Sequence, residues 1–261
     1  MTVCVGVDVG ATKLAAARVD VDDGRVLTVL RRPTEPARGS EAVLGDVVAM
    51  LGELGAGAGA AGLAICELVD PAGHLRSAET VDWRAADLPF AAVESDVRAA
   101  AVAEARFGAG RDVADFLYVS VGSGVSHCLV TDGRPRTGVH GSAICTGAPM
   151  VEAWSGGLAL ARLSGHDSAE AALADPAAEA VVAEGAARLG GVLATLVNAL
   201  DPGAVIVGGG LGLHAGYRAR VEAALRVAVY DAAARGVPVL PAGLGSDAAV
   251  IGAALAAAAA R

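Results

Sequence analysis

Valines at positions 3, 5, 7 and 9 alternate with other residues at the start of the chain, and after Gly10-Ala11-Thr12 an apolar run resumes through Val19. Alternation on either side of a glycine turn predicts a strand, a tight turn and a second strand. Asp22-Asp23-Gly24-Arg25 is a further turn signal, and Val26 to Leu30 then reads as a third strand. Over Glu41 to Leu54 the apolar residues Val43, Leu44, Val47, Val48 and Leu51 recur at helical spacing, and Ala61 to Val69 reads as a buried strand. The same order returns later. Phe116 to Val121 and Val125 to Val130 read as strands around Gly122-Ser123-Gly124, followed by the turn Asp132-Gly133-Arg134. A repeated strand, glycine turn, strand and Asp-Gly-Arg turn predicts a duplicated α/β unit, hence two lobes facing one cleft. The remaining elements are an alanine-rich helix from Ser95 to Arg106 ending at Gly108, a long helix from Val181 to Leu200, and a strand from Ala204 to Val207 opening into Gly208-Gly209-Gly210. The apolar tail from Ala248 to Ala260 is too short for a bilayer, which takes roughly 20 apolar residues, and reads as a core helix.

Composition narrows the function classes. At 261 residues the chain lies near the size where one core divides into two, and 54% hydrophobic against 19% charged residues describes a folded globular protein. A net charge of −9 with 3% aromatics offers neither a basic footprint nor stacking platforms, so nucleic acid is not an expected partner. No basic stretch leads into an apolar segment at the N-terminus, and the expectation is a cytoplasmic protein without a membrane partner. Four cysteines, at 4, 66, 128 and 145, lack C-x-x-C spacing and read as reduced rather than as a disulfide framework.

The chemistry gathers at glycine turns. Asp8-Val9-Gly10-Ala11-Thr12-Lys13 sets a carboxylate, a hydroxyl and the chain's sole lysine at a hairpin tip. Gly10 lets backbone amides approach a phosphate, Thr12 and Lys13 add donors, and Asp8 can hold magnesium through water; an ordinary hairpin remains the alternative. Gly122, Ser123 and Gly124 form a second candidate phosphate loop. Gly208, Gly209 and Gly210 suit a flat surface for a nucleoside, or simply a tight strand-to-helix turn, better than a dinucleotide fingerprint. Glu94-Ser95-Asp96 ends a strand and opens a helix, so Ser95 or Asp96 reads as an N-cap. A carboxylate there can also accept a proton from a substrate hydroxyl, with the helix dipole expected to lower its pKa. His127, Cys128, His140 and Cys145 invite a zinc reading, but neighbours on a strand point to opposite faces, and no zinc is expected.

Taken in order, Asp8-x-Gly-x-Thr-Lys13, the Gly62 strand, Val69-Asp70, Trp83, Ser95-Asp96, Gly122-Ser-Gly124, Asn198-Ala-Leu-Asp-Pro202, Gly208-Gly-Gly210 and the ending from Asp247 to Ala254 resemble the ROK family of sugar kinases and related repressors. The resemblance spans nearly the whole chain. It implies an actin-like ATPase fold of two ribonuclease-H-like lobes around a nucleotide cleft, with residues 1–113 plus 247–261 in one lobe and 114–246 in the other. It further implies ATP with Mg²⁺, transfer of the γ-phosphate to a sugar hydroxyl, and a homodimer. Asp96 matches the catalytic aspartate and Glu152 a sugar-contacting glutamate, with Thr80 near a sugar-contacting asparagine; Glu67, Ser95 and His140 complete the candidate acceptor set. No helix-turn-helix segment is read before Asp8, so a kinase rather than a repressor is expected.

The departures matter too. Cys66-Glu67 stands where the family carries Pro-Gly, Ser95-Asp96-Val97-Arg98 replaces Asn-Asp-Ala-Asn, and the second loop continues as Ser126-His127 rather than as glycines. The Glu-x-Gly-His run and the cysteine-rich zinc segment give way to the stretch from Cys145 to Ala148. The reading is therefore an ATP-dependent kinase for a sugar or sugar-like polyol, with a cyclitol of secondary metabolism among the candidates. A non-catalytic sugar- or nucleotide-binding relative is the alternative.

Overall fold

The computed structural model describes residues 1–83, 88–146 and 150–261. The chain divides into two compact units, the first made of residues 1–108, 134–144 and 247–261, the second of 109–133 and 145–246. The sequence reading gives 134–144 to the second lobe; that segment instead belongs with the first unit, where the Gly141 carbonyl accepts a hydrogen bond from Arg98.

In the first unit β1 (Val3–Val9), β2 (Lys13–Asp20) and β3 (Arg25–Pro33) form an antiparallel meander, as the alternation predicts. The crossover helix α1 (Ser40–Glu53) leads to β4 (Ala61–Ile65) and β5 (Ala92–Ser95), which extend the sheet in parallel, giving the order β3-β2-β1-β4-β5. Helix α2 (Asp96–Phe107) leaves directly from β5. The sequence reading carries β4 on to Val69, but the pairing ends at Val9–Ile65: the Cys66 amide still donates to the Val9 carbonyl, after which the Cys66 carbonyl and the Leu68 amide turn to the hydroxyls of Thr80 and Ser77.

In the second unit β6 (Phe116–Val121) and β7 (Val125–Thr131) make the second hairpin, after which the chain runs through Asp132-Gly133 into the two-residue strand β8 (Arg134–Pro135) at the boundary between units. Helices α3 (Glu152–Ser155), α4 (Gly157–Ser164), α5 (Ala169–Ala174) and α6 (Glu179–Leu200) follow. Then come β9 (Ala204–Gly208), α7 (Gly210–Leu213), α8 (Ala215–Ala228) and β10 (Val239–Pro241). The last helix, α9 (Ala248–Ala259), returns to the first unit.

The antiparallel pair β6–β7 and the parallel pairs β6–β9 and β9–β10 repeat β1–β2, β1–β4 and β4–β5 strand for strand. This is the duplicated ribonuclease-H-like arrangement of the actin-like ATPase fold. Helix α6 is long and apolar enough to cross a membrane, but its stripe of Val182, Ala186, Leu189, Leu193 and Val197 lies in the core of the second unit.

The two faces of the first sheet are covered differently. Val5, Val7 and Val9 point one way, into a cluster with Val43, Val47, Met50 and Leu51 of α1. Residues of the opposite parity point the other way, and on that side α9 lies backbone to backbone against the sheet. A Cβ on Gly6 or on Gly62 would stand 2.0 Å from a carbonyl oxygen of α9, and one on Gly252 would stand 1.9 Å from the Ala99 carbonyl oxygen of α2. The close fit accords with the predominance of alanine in α9 and with its glycine at position 252. Gly62→Ala should therefore push α9 off the sheet and lower stability by about 1–3 kcal/mol, an overpacking cost. Chemical denaturation of the purified variant checks this, and an unchanged midpoint would show that α9 yields without penalty.

Candidate functional site

Asp8 shares its strand parity with Gly6, so it projects on the α9 side of the sheet, at the C-terminal end of the central strand. Its Oδ1 is buried without a hydrogen-bond partner. Burial, and then the charge of Asp96, push the Asp8 pKa up to about 8. A carboxylate so placed is protonated at neutral pH or neutralised by a cation. Magnesium bound beside phosphates takes one or two carboxylates and keeps several waters, and an orphaned carboxylate oxygen with a second carboxylate close by fits that ion.

Asp96 opens α2, and its Oδ1 accepts from the Val97 amide at 2.7 Å. The helix start was expected to lower its pKa. The structure reverses the sign: burial dominates and lifts it to about 6, with Glu67 adding to the rise while the Val97 amide and Arg98 oppose it. A carboxylate poised near 6 is better matched to taking a proton at neutral pH than one near 4. The Cys66 thiol lies in the same field, and the Asp96 charge and then burial push its pKa up, so it stays S–H.

Other residues assigned to the acceptor are occupied elsewhere. The buried Glu67 carboxylate accepts from the Ser77 hydroxyl at 2.6 Å and from the amides of Glu79 and Thr80 at 2.9 and 2.8 Å. It therefore pins the 77–81 loop rather than standing free for a substrate. The Thr80 hydroxyl donates to the Cys66 carbonyl at 3.2 Å, and the buried Ser95 hydroxyl to the Glu67 carbonyl at 2.9 Å. Ser95 occupies the N-cap position without capping through its side chain. His140 is exposed on the 138–144 segment.

Lys13 and Thr12 are exposed at the first hairpin tip, where the Gly10 amide donates to the Lys13 carbonyl at 3.0 Å. Thr34, absent from the sequence reading, braces this loop. It is fully buried, donates its hydroxyl to the Gly10 carbonyl at 2.7 Å and its amide to the Thr12 carbonyl at 3.1 Å. Its only sequence signal is a threonine closing the strand opposite the turn.

In the second unit, the Gly122 amide donates to the Gly124 carbonyl, while the amides of Gly157 and Leu158 reach the carbonyls of Gly122 and Ser123 at 2.7 and 3.2 Å. The start of α4 is thus bonded to the second glycine loop, an approach that the Gly156-Gly157 pair permits and that sequence reasoning missed. Glu152 begins α3 and its Oε1 accepts from the Val125 amide at 2.9 Å, so it supports the same loop. His127 is half-buried on β7, with Nδ1 3.0 Å from the Thr146 hydroxyl, and burial lowers its pKa. Gly208 ends β9 against the Tyr118 ring, Gly209 caps α7 and Gly210 begins it. Cys128 is buried and Cys145 exposed; Ala148 lies outside the described residues. Among the described residues no three His, Cys, Asp or Glu side chains gather as a metal set.

Comparison with known proteins adds a second line of evidence. The ROK family model matches residues 4–147 and 142–260. The bifunctional enzyme NanE/NanK of Brucella melitensis is 30% identical over 277 residues, covering 94% of this chain, which spans 52% of that longer protein. An N-acetylmannosamine kinase of Escherichia coli is 29% identical over 288 residues, with 96% of this chain and 97% of that protein covered. Among solved structures, a ROK family glucokinase from Streptomyces griseus in complex with glucose and AMPPNP superposes with a TM-score of 0.81 at 26% identity, covering 97% and 98% of the two chains. A ROK hexokinase from Thermus thermophilus gives 0.74 at 29% identity, covering 99% and 98%.

The two raised carboxylates carry a measurable signature. A carboxyl whose folded pKa lies above its unfolded value stabilises the fold at low pH, and that contribution is lost as pH rises through the folded pKa. Magnesium- and nucleotide-free protein should lose stability between about pH 4 and about pH 8, the range between the ordinary and the raised Asp8 values. Asp8→Asn should flatten the upper part of that decline, above about 6, where Asp96 has finished titrating. Urea midpoints across this range check it, and parallel curves for the two proteins would show that Asp8 is ionised at no special cost.

Proposed function

The chain belongs to the ROK family, and on that footing we propose that it is an ATP-dependent kinase that transfers the γ-phosphate to a hydroxyl of a sugar or sugar-like polyol. The observation that carries this reading is the pair of desolvated carboxylates, Asp8 without a partner and Asp96 raised to about 6 at the start of a helix. One suits a cation and the other a proton. The relatives named above, described as kinases of N-acetylmannosamine and glucose, support the same class.

In this reading Gly10, Thr12 and Lys13 give the first unit a phosphate-binding loop with one ammonium, and Gly122, Ser123, Gly124 and Gly208 to Gly210 give the second its own backbone amides and a hydroxyl for nucleotide binding. Asp8 would hold Mg²⁺ through water, and such an ion would supply neutralisation of phosphate charge. The Asp96 carboxylate orients the acceptor hydroxyl and takes its proton as the hydroxyl oxygen bonds to the γ-phosphorus and the bond to the β,γ-bridging oxygen breaks, leaving ADP. Thr34 and Glu152 keep the two glycine loops in shape. The fold is expected to need no zinc, and the protein to act as a homodimer; metal analysis and gel filtration address these points.

The acceptor follows from what the site lacks. Cys145 and Ala148 stand where the family's Glu-x-Gly-His run supplies a carboxylate and an imidazole, while the side chains of Glu67, Thr80 and Ser95 are bonded within the protein. A sugar hydroxyl left unpaired in a site is discriminated against strongly, on the order of 10⁴ in rate. A carbocyclic or deoxygenated acceptor such as a cyclitol suits this set better than glucose.

A coupled ADP-release assay with glucose, N-acetylmannosamine and seven-carbon cyclitols tests both levels. Glucose as the best of these would refute the acceptor class but not the kinase. Asp96→Asn should fold at least as stably as the wild type, because a buried charge is removed. Its turnover should fall about 10²- to 10⁴-fold, the range for a lost general base. Near-normal turnover would remove Asp96 from the chemistry. ATP binding without ADP release in the wild type would favour the non-catalytic reading, in which His127 occupies a position that is glycine in the family.

A further inference from the structure

Arg98 lies on the first turn of α2, two residues beyond Asp96, and its side chain is entirely buried. A guanidinium survives without water only where its donors are met. Here Nε donates to Glu94 at 2.7 Å, Nη1 donates to the Gly141 carbonyl at 3.0 Å, and Nη2 donates to the Val69 carbonyl. Gly141 sits at φ +75° and so close to the turn at Val69 that a Cβ would stand 2.1 Å from the Val69 carbonyl oxygen. Three pieces of the first unit therefore meet on one side chain: the corner from β5 into α2, the stretch that follows Glu67, and the segment that carries His140. Ser95 makes a second tie from the same corner, to the Glu67 carbonyl. The hairpin tip at Gly10 to Lys13 has a separate support in Thr34.

We infer that Arg98 is a positioning residue for the acceptor, holding the 66–69 and 138–142 segments against the helical turn that presents Asp96. The inference rests on the kinase reading, with Asp96 as the proton acceptor. It separates two halves of the first unit. Loss of Arg98 should damage the use of the acceptor and leave the nucleotide side alone.

Two variants and two measurements test it. Arg98→Met removes every donor, whereas Arg98→Lys keeps the charge but loses the planar fork that serves Glu94 and both carbonyls. In Arg98→Met, kcat/KM for the best acceptor should fall by about 10²-fold, the cost of displacing a reacting group by about 1 Å, while KM for ATP stays within about twofold. Arg98→Lys should recover part of the loss. Hydrogen exchange should speed up at amides 66–80 and 138–142 and stay unchanged at 8–14. Equal damage to the ATP and acceptor constants, an unaltered acceptor constant, or exchange that rises everywhere or nowhere would overturn the inference. If Arg98→Met fails to fold, Arg98→Lys and Glu94→Gln carry the same comparison. A wild type that turns over no acceptor would count against the kinase reading, and hydrogen exchange would still decide whether Arg98 fixes the two segments.

Discussion

The first unit is organised by the approach of α9 to β1, β4 and α2, a contact in which main chain meets main chain. Three missing side chains, at Gly6, Gly62 and Gly252, set the separation, since a single Cβ at any of them would fall within 2.0 Å of a backbone oxygen. With α9 held this tightly between sheet and helix, α2 is drawn toward the sheet as well. Asp8, of the same parity as Gly6, then stands within electrostatic reach of Asp96 on the first turn of α2. The candidate chemistry is thus set by a packing distance.

That distance has an electrostatic consequence. Burial raises the proton affinity of both carboxylates, and the charge of Asp96 raises Asp8 further, so that Asp8 stands near 8 and Asp96 near 6. Divergent values within one site are how a fold assigns different tasks to chemically identical groups. Asp96 has compensation from the Val97 amide and Arg98. Asp8 Oδ1 has none. The fold thus tolerates an unfavourable group where a positive ion would relieve it, which is typical of a site shaped for function rather than for stability.

Much of this architecture is legible in the chain. The alternating valines, the Asp-Gly turns and the helical spacing of 41–54 are local signals, and the hairpins and α1 follow them closely. The glycine loops and the Asp96 corner are legible for the same reason. What escapes the sequence is tertiary. Glu67 reads as a candidate acceptor contact, and nothing local shows that the amides of residues twelve and thirteen positions on bond to its carboxylate. Arg98 enters the sequence only as a departure from the family's Asn-Asp-Ala-Asn run, and the arrival of Val69 and Gly141 makes it a buried clamp. The sign of the Asp96 shift is misjudged because the helix terminus acts locally and is visible, whereas the burial that outweighs it comes from distant segments.

Helix α9 also bears on the order in which the protein can be made. The first unit takes in residues 247–261, so its sheet cannot be closed on one side until the whole of the second unit has been synthesised. At roughly 5–20 residues per second, the ribosome spends on the order of 10 s on the intervening chain. During that interval the strand bearing Asp8 lacks its covering helix. The second unit, which is closed once residue 246 has emerged, can fold first even though the chain begins with the other. Vectorial synthesis and folding order therefore run in opposite directions here, and the pair of carboxylates is assembled only after residues 247–261 have been made.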